Sequence, residues 1–424
     1  MILRNSIIIT AFLIASQLLA ILRERMFANM VGIGPTLDMY NASFRLPDLM
    51  LGVMMSFVAG SAVMPLMYKY KEQSEKSYNQ YLSSLFIFFF FVMILIALIL
   101  LPLAQFVIPP MVKGFDAKQI VDTVYYSQLL LIQPILLGIS FLASAIAQSK
   151  NRFILYGLGP IFYSLGVIIT FYFYYDDVGI ISAVYGAIIG AFLQAVTQFI
   201  VLYKEKIYPS FQNYKFSYIK EHIKIALPRS GSQIVSQLKL IYITYLGSII
   251  GAGAISTFAL VHKVYDVFTQ LVASSISTAS LPKMSEYYSK EKYDEYNKVF
   301  RKGYVSILAI SVFVSFFAYL FSRELVYLIF GNIIGADLVS DILRVMFIIF
   351  PLVALNWYMS IACNSKRDTK RPFFSNLLSL VTVVISGQYF YNNDYGIWSV
   401  VYSVLLGFVV SFVLLSYFNF RKEK

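Results

Sequence analysis

The sequence predicts an all-α polytopic membrane protein of twelve transmembrane helices in two six-helix lobes. Three observations predict it. Of 424 residues, 59% are hydrophobic and only 13% charged, where a soluble domain carries about 25% charged residues. Apolar stretches of about 20 residues, the length that crosses a bilayer core, recur along the whole chain. The second half also repeats landmarks of the first. "DDVGIISAVYG" (176–186) matches "NDYGIWSVVYS" (393–403) at an offset of 217, which Pro134 shares with Pro351 and Pro65 with Pro282.

In chain order, the spans are expected at 5–23, 37–67, 82–108, 120–148, 153–175, 178–203, 223–250, 254–282, 302–322, 340–364, 372–391 and 395–418. The first has the basic start and apolar run of a secretory signal. It lacks a small-x-small cleavage site, so it reads as a retained span. The stretch 77–112 carries no charge. With a cytoplasmic N-terminus, 24 of the 34 Lys and Arg residues fall in inner connections, and only Arg25, Lys113, Lys118 and Arg323 in outer ones. That bias puts both termini in the cytoplasm. Six spans is an even number, so the halves run parallel, related by an axis along the membrane normal, a plan secondary transporters use. The expected division is a lobe over 1–203, a Lys- and Tyr-rich cytoplasmic linker over 204–222, and a second lobe over 223–424.

Charges inside the spans follow the repeat. Arg23 closes the first span; Asp38, Arg45 and Asp48 lie in the second; Arg229 and Lys239 in the seventh; Lys263 and Asp266 in the eighth. Arg344 stands apart. "FRLPDLM" (44–50) falls on "HKVYDVF" (262–268), matching Arg45 with Lys263 and Asp48 with Asp266. Each half thus carries cation-x-x-anion on one helical face. A charge at a helix centre costs about 2.5–3.5 kcal/mol to insert, so such residues face a cavity or a partner. The symmetry expects them on facing walls of a central cavity, with cations in excess. An anionic cargo fits, and arginine's planar fork suits phosphate. The competing reading makes Arg45/Asp48 and Lys263/Asp266 internal ion pairs that hold helices, with Arg229 at the inner interface and Lys239 snorkelling. His262 either titrates or packs. Pro47, Pro134, Pro160, Pro228 and Pro351 permit bends, and a break at Pro47 would expose backbone.

Several functions are excluded or disfavoured. The single Cys363 makes no internal disulfide. There is no G-x-x-x-x-G-K-[ST] phosphate loop, only two histidines, and no H-E-x-x-H. No cofactor is expected beyond an ion gradient or membrane potential for coupling. The net charge of +12 reads as topology rather than as a nucleic-acid surface. The outer connections are too short for a catalytic domain. The charged stretch 283–302 reads as a solvated helix extension.

"VGIGPTLDMYNASFRLPDLM" (31–50), "VMPLMYKYKE" (63–72) and "LPKMSEYYSKEKYDEYNKVF" (281–300) resemble, in order and spacing, segments of the lipid II flippase family (MurJ/MviN). The resemblance covers nearly the whole chain. It implies the multidrug and polysaccharide exporter superfamily, alternating access of two lobes around a V-shaped cationic cavity, and a polyprenyl-diphosphate saccharide as cargo. It also implies a bacterial inner membrane location, membrane lipids as neighbours, a monomer, and transport rather than an enzyme reaction. The family's cavity residues fall on Arg23, Asp38, Lys263 and Asp266. Gln17, Asp48, Leu51, Gly52 and Ser56 depart from its pattern, and the chain ends after twelve expected spans where the family adds two. The expected function is flipping of lipid II or a related glycan precursor, with Arg23, Arg45, Lys239 and Lys263 on the diphosphate. Asp38, Asp48 and Asp266 would position these cations or couple the cycle to an ion gradient. A cation-coupled multidrug exporter is the alternative, and a membrane enzyme of glycan assembly is disfavoured.

Overall fold

The computed structural model describes the backbone of residues 2–58, 60–366 and 368–420; the side chains of 2–10, 56, 58, 60–62 and 227–230 lie outside the described ones. Among the described residues there are eighteen α-helices and no strand. They are α1 Ile2–Met30, α2 Pro35–Ser43, α3 Arg45–Val58, α4 Gly60–Gln73, α5 Glu75–Met111, α6 Ala117–Leu130, α7 Ile132–Ser149, α8 Phe153–Val178 and α9 Ile181–Lys204. Then follow α10 Phe216–Ile250, α11 Ala254–Thr269, α12 Ser275–Ser289, α13 Tyr293–Leu320, α14 Ser322–Phe330, α15 Ala336–Ile348, α16 Phe350–Ser365, α17 Lys370–Asn392 and α18 Trp398–Phe420.

Eight described helices or helix pairs are long and apolar enough to cross a membrane, and nine if α15 and α16, bent by 54°, count as one span. Three expected spans are not among them: 5–23, 37–67 and 254–282. The side chains of the expected span 5–23 lie partly outside the described ones, and the other two are broken helices. The second is divided into α2, α3 and α4, and the eighth into α11 and α12 with a π-helical turn at Gln270–Ser274 between them.

Proline places several breaks. Its ring removes one donor and clashes with the carbonyl four residues back. Pro47 points back to Ser43, where α2 ends. Pro134 points back to Leu130, where α6 ends, and Pro351 to Phe347, one residue before α15 ends. The repeated prolines therefore make repeated breaks, at Leu131 and Ile349.

The chain divides into two compact units. One comprises Met1–Phe27 and Pro35–Gln237, the other Ala28–Gly34 and Leu238–Lys424. The first unit closes on Tyr81, Leu131, Phe171, Val184 and Ala187, all within 1% of fully buried. Glycines let its helices approach. A Cβ on Gly166 of α8 would meet the Gly190 backbone of α9 at 2.5 Å, and one on Gly190 would meet the Tyr163 carbonyl at 2.3 Å. Small residues at such crossings are how helices pack in lipid, where no hydrophobic drive separates helix from solvent.

The second unit has two apolar clusters. One gathers Leu246, Val261, Leu343, Phe347, Phe350 and Val401. The other gathers Met284, Ile307, Tyr358 and Met359. The segment Ala28–Gly34 belongs to the first cluster through Ala28 and Ile33, and Asn29 Nδ2 donates to the Phe330 carbonyl at 2.6 Å. Large rings such as Phe106, Phe173 and Phe313 stand more than 60% exposed. In water they would be a liability; on lipid-facing helices they are the expected surface.

Candidate functional site

In the first unit the buried charges come from α1, α2 and α3. Arg23 sits near the end of α1 and donates to Glu24 Oε1, with Nη2 at 2.7 Å and Nε at 3.3 Å. Both side chains are under 20% exposed. Asp38 lies in the first turn of α2 and is 1% exposed. A carboxylate there opposes the positive end of the helix dipole. Arg45 opens α3, and its Nη1 lies 3.9 Å from Asp48 Oδ2 one turn later. The sequence spacing therefore brings Arg45 and Asp48 together on one face, as a long-range ion pair.

Aromatic groups join this cluster. Tyr40 and Tyr163 lie within electrostatic range of Arg23 and also of Asp48. Gln133 Nε2 donates to the Tyr163 hydroxyl at 2.9 Å. Phe27 packs edge-on against Tyr40 and Phe171 at 5.1 and 4.8 Å. Sequence reasoning missed Glu24, Tyr40, Gln133 and Tyr163. Glu24 was legible: it adjoins Arg23, but helical spacing is the wrong test for neighbours in sequence. Tyr163 lies in the fifth expected span and carried no charge to flag it.

Glu24 changes the local electrostatics. The first unit holds Arg23 and Arg45 against Glu24, Asp38 and Asp48. Among these described side chains the anions outnumber the cations; Arg229, which the expected excess also counted, lies outside them.

In the second unit α11 carries Lys263 and Asp266. Among the described ion pairs Asp266 Oδ2 takes His262 Nδ1 at 3.0 Å. His262 and Asp266 are four apart, one turn along the same face. Lys263 still lies near enough to act electrostatically on Asp266. Tyr265 between them is buried against Phe347 and Phe350.

Lys239 of α10 donates from Nζ to Ser379 Oγ of α17 at 2.8 Å, with the Phe408 ring of α18 at 5.9 Å. It is thus held between helices of its own unit. Arg344 is matched by Asp341 at 3.7 Å and Ser322 at 3.2 Å. The side chain of Arg229 lies outside the described residues. At Gly52, where the resemblance expects arginine, a Cβ would lie 3.1 Å from the Gln237 side chain, which would have to shift to admit one.

Ionisable residues within a many-helix membrane chain mark candidate functional positions, and here each of the two units carries a group of them. Solved structures share that architecture. An inward closed lipid II flippase MurJ superposes with TM-score 0.82 at 18% identity, covering 97% of this chain and 87% of that one. An inward-facing multidrug resistance MATE transporter of the MOP superfamily gives 0.78 at 15% identity, covering 96% and 94%. Among sequences, the probable lipid II flippase MurJ of Buchnera aphidicola (Schizaphis graminum) is 24% identical, over 78% of this chain and 65% of that protein. That of Borreliella burgdorferi is 22% identical, over 96% and 81%. The profile of the family "Lipid II flippase MurJ" matches residues 27–424, and the chain belongs to that family.

Proposed function

We propose that this protein moves a polyprenyl-diphosphate-linked saccharide, lipid II or a related envelope glycan precursor, from the inner to the outer leaflet of a bacterial inner membrane. The observation that carries the reading is the family match over 27–424. In this reading the chain makes twelve crossings as two six-span repeats, both ends are cytoplasmic, and the cargo leaves chemically unchanged.

Arg45 and Lys263 are the principal diphosphate contacts, one from each repeat, with Arg23 and Lys239 as supporting cations. Asp38, Asp48 and Asp266 set the positions of those cations. The broken helix at Ser43–Arg45 supports the reading, because a break beside a charge leaves backbone groups available to a polar ligand. A membrane potential, proton or sodium gradient couples the cycle, and the His262–Asp266 pair is suited to carry a proton. The test is rescue of growth, and of lipid-linked precursor translocation, in cells depleted of their own flippase. Failure of the well-expressed protein to restore either overturns the proposal.

A second reading, cation-coupled export of small cationic compounds, draws on the three carboxylates that face two cations in the first unit. Resistance of expressing cells to cationic drugs, without rescue of the flippase-depleted strain, would favour it.

A further inference from the structure

The connection between α9 and α10 is not a plain linker. Tyr203, Tyr208, Phe211 and Phe216 are 73, 61, 70 and 59% exposed. Four rings turned outward over 14 positions are costly in water. Lys204, Lys206, Lys215 and Lys220 are exposed among them. The acidic residues nearby are already engaged. Glu205 holds Arg152 at 2.8 Å and Lys150 at 3.9 Å, and Glu221 holds Lys69 at 2.7 Å.

The segment is fixed in place by its backbone. Ser210 N–H donates to Ser83 Oγ at 3.3 Å, and Lys215 N–H to Ser84 Oγ at 2.8 Å. Both serines belong to α5, whose 37 residues span about 55 Å at 1.5 Å per residue. The hydrocarbon core is only about 30 Å thick, so the start of α5 stands beyond it. Phe211 then meets Phe91 at 5.9 Å, and Phe91 is itself half-exposed within the charge-free run of α5. The ring of Phe211 thereby continues the exposed apolar surface of α5.

We propose that residues 203–220 form a membrane-surface anchor. The four rings seat at the boundary of headgroups and acyl chains, and the four lysines hold anionic phospholipid headgroups of that leaflet. Aromatic rings with interleaved lysines are the pattern that lies in an interface, and each lysine near an anionic surface adds attraction that salt screens. Charge selects the occupant: the patch is basic with its acids spent, so an anionic lipid surface fits it better than a neutral one. The leaflet follows the orientation proposed above, but the anchoring does not depend on it.

The test uses the full chain with Trp357 and Trp398 replaced by Phe and a single Phe211→Trp reporter, reconstituted in vesicles. Lipids brominated high on the acyl chain should quench its emission about twofold, and aqueous iodide should quench it weakly. Bromine placed on the anionic lipid should quench more than the same bromine on the zwitterionic lipid. The preference should vanish in the variant that also carries Lys204→Gln, Lys206→Gln, Lys215→Gln and Lys220→Gln. A tryptophan open to iodide and blind to brominated lipid overturns the anchor. Equal quenching by both lipids with the lysines present overturns the anionic-lipid assignment.

Discussion

The Tyr81 hydroxyl lies 3.0 Å from His222 Nδ1, while His222 Nε2 lies 2.8 Å from the Phe57 carbonyl. Since the carbonyl can only accept, Nε2 carries the proton and Nδ1 accepts from Tyr81. This neutral, fully buried ring ties the start of α10 to α3 and α5. Glu221 beside it takes Lys69 and the Tyr70 hydroxyl, and Tyr218 donates to Gln80 at 3.2 Å.

Burial pushes the His222 pKa below its ordinary value. The unfolded chain therefore binds more protons just below pH ~6.5, and stability is full above that pH and falls as pH drops through it. Thermal unfolding of the purified protein should show a lower midpoint at about pH 5.5 than at about pH 7.5. His222→Gln should narrow the gap. An unchanged gap would assign the effect to other groups.

Arg45 and Lys263 should matter most for transport. Replacing either by Ala should lower precursor translocation about tenfold or more, the equivalent of about 1.4 kcal/mol. Lys239→Ala should cost less, about two- to threefold, because its ammonium is already committed to Ser379. The order of the three rates in reconstituted vesicles, at matched expression and folding, checks the assignment. Equal activity of all three variants would remove the charges from the cargo path.

Glu24 separates the two functional readings. Glu24→Gln removes the carboxylate at 2.7 Å from Arg23 and leaves Arg23 and Arg45 against Asp38 and Asp48. A flippase for an anionic head should retain activity within about twofold, since no attraction to phosphate is lost. An exporter of cations that relies on those carboxylates should lose uptake and resistance instead. Parallel translocation and drug-efflux assays on one variant read the difference.

The long apolar helices were legible because hydropathy over 20 residues is a strong signal. Helix α5, charge-free from 77 to 111, is the clearest case. The proline breaks were half legible. Pro47 announced one, but that Pro134 and Pro351 would each follow a one-residue interruption needed the backbone itself. The site was read as charges at helical spacing, and this worked for Arg45–Asp48. Around Asp266, positions three and four residues back share its face, and the ion pair is the one with His262. Helical spacing missed Tyr40 and Tyr163, whose contribution comes from tertiary proximity.

Glycines carry the last expectation, because they set the distance between helices that hold site residues. A Cβ on Gly190 would press on the carbonyl of Tyr163, the residue that faces Arg23 and Asp48. A Cβ on Gly407 of α18 would fall 2.6 Å from Val383 and 3.0 Å from Ser379 Oγ, the acceptor of Lys239. Backbone cannot yield as a side-chain end can, so Gly190→Ala must part α8 from α9. Each substitution should destabilise by about 1–3 kcal/mol, as overpacking does. Gly34→Ala, which meets nothing within 4 Å, should unfold like the parent. Unfolding midpoints in one detergent test this directly, and a Gly190→Ala variant as stable as Gly34→Ala would contradict the close crossing of α8 and α9.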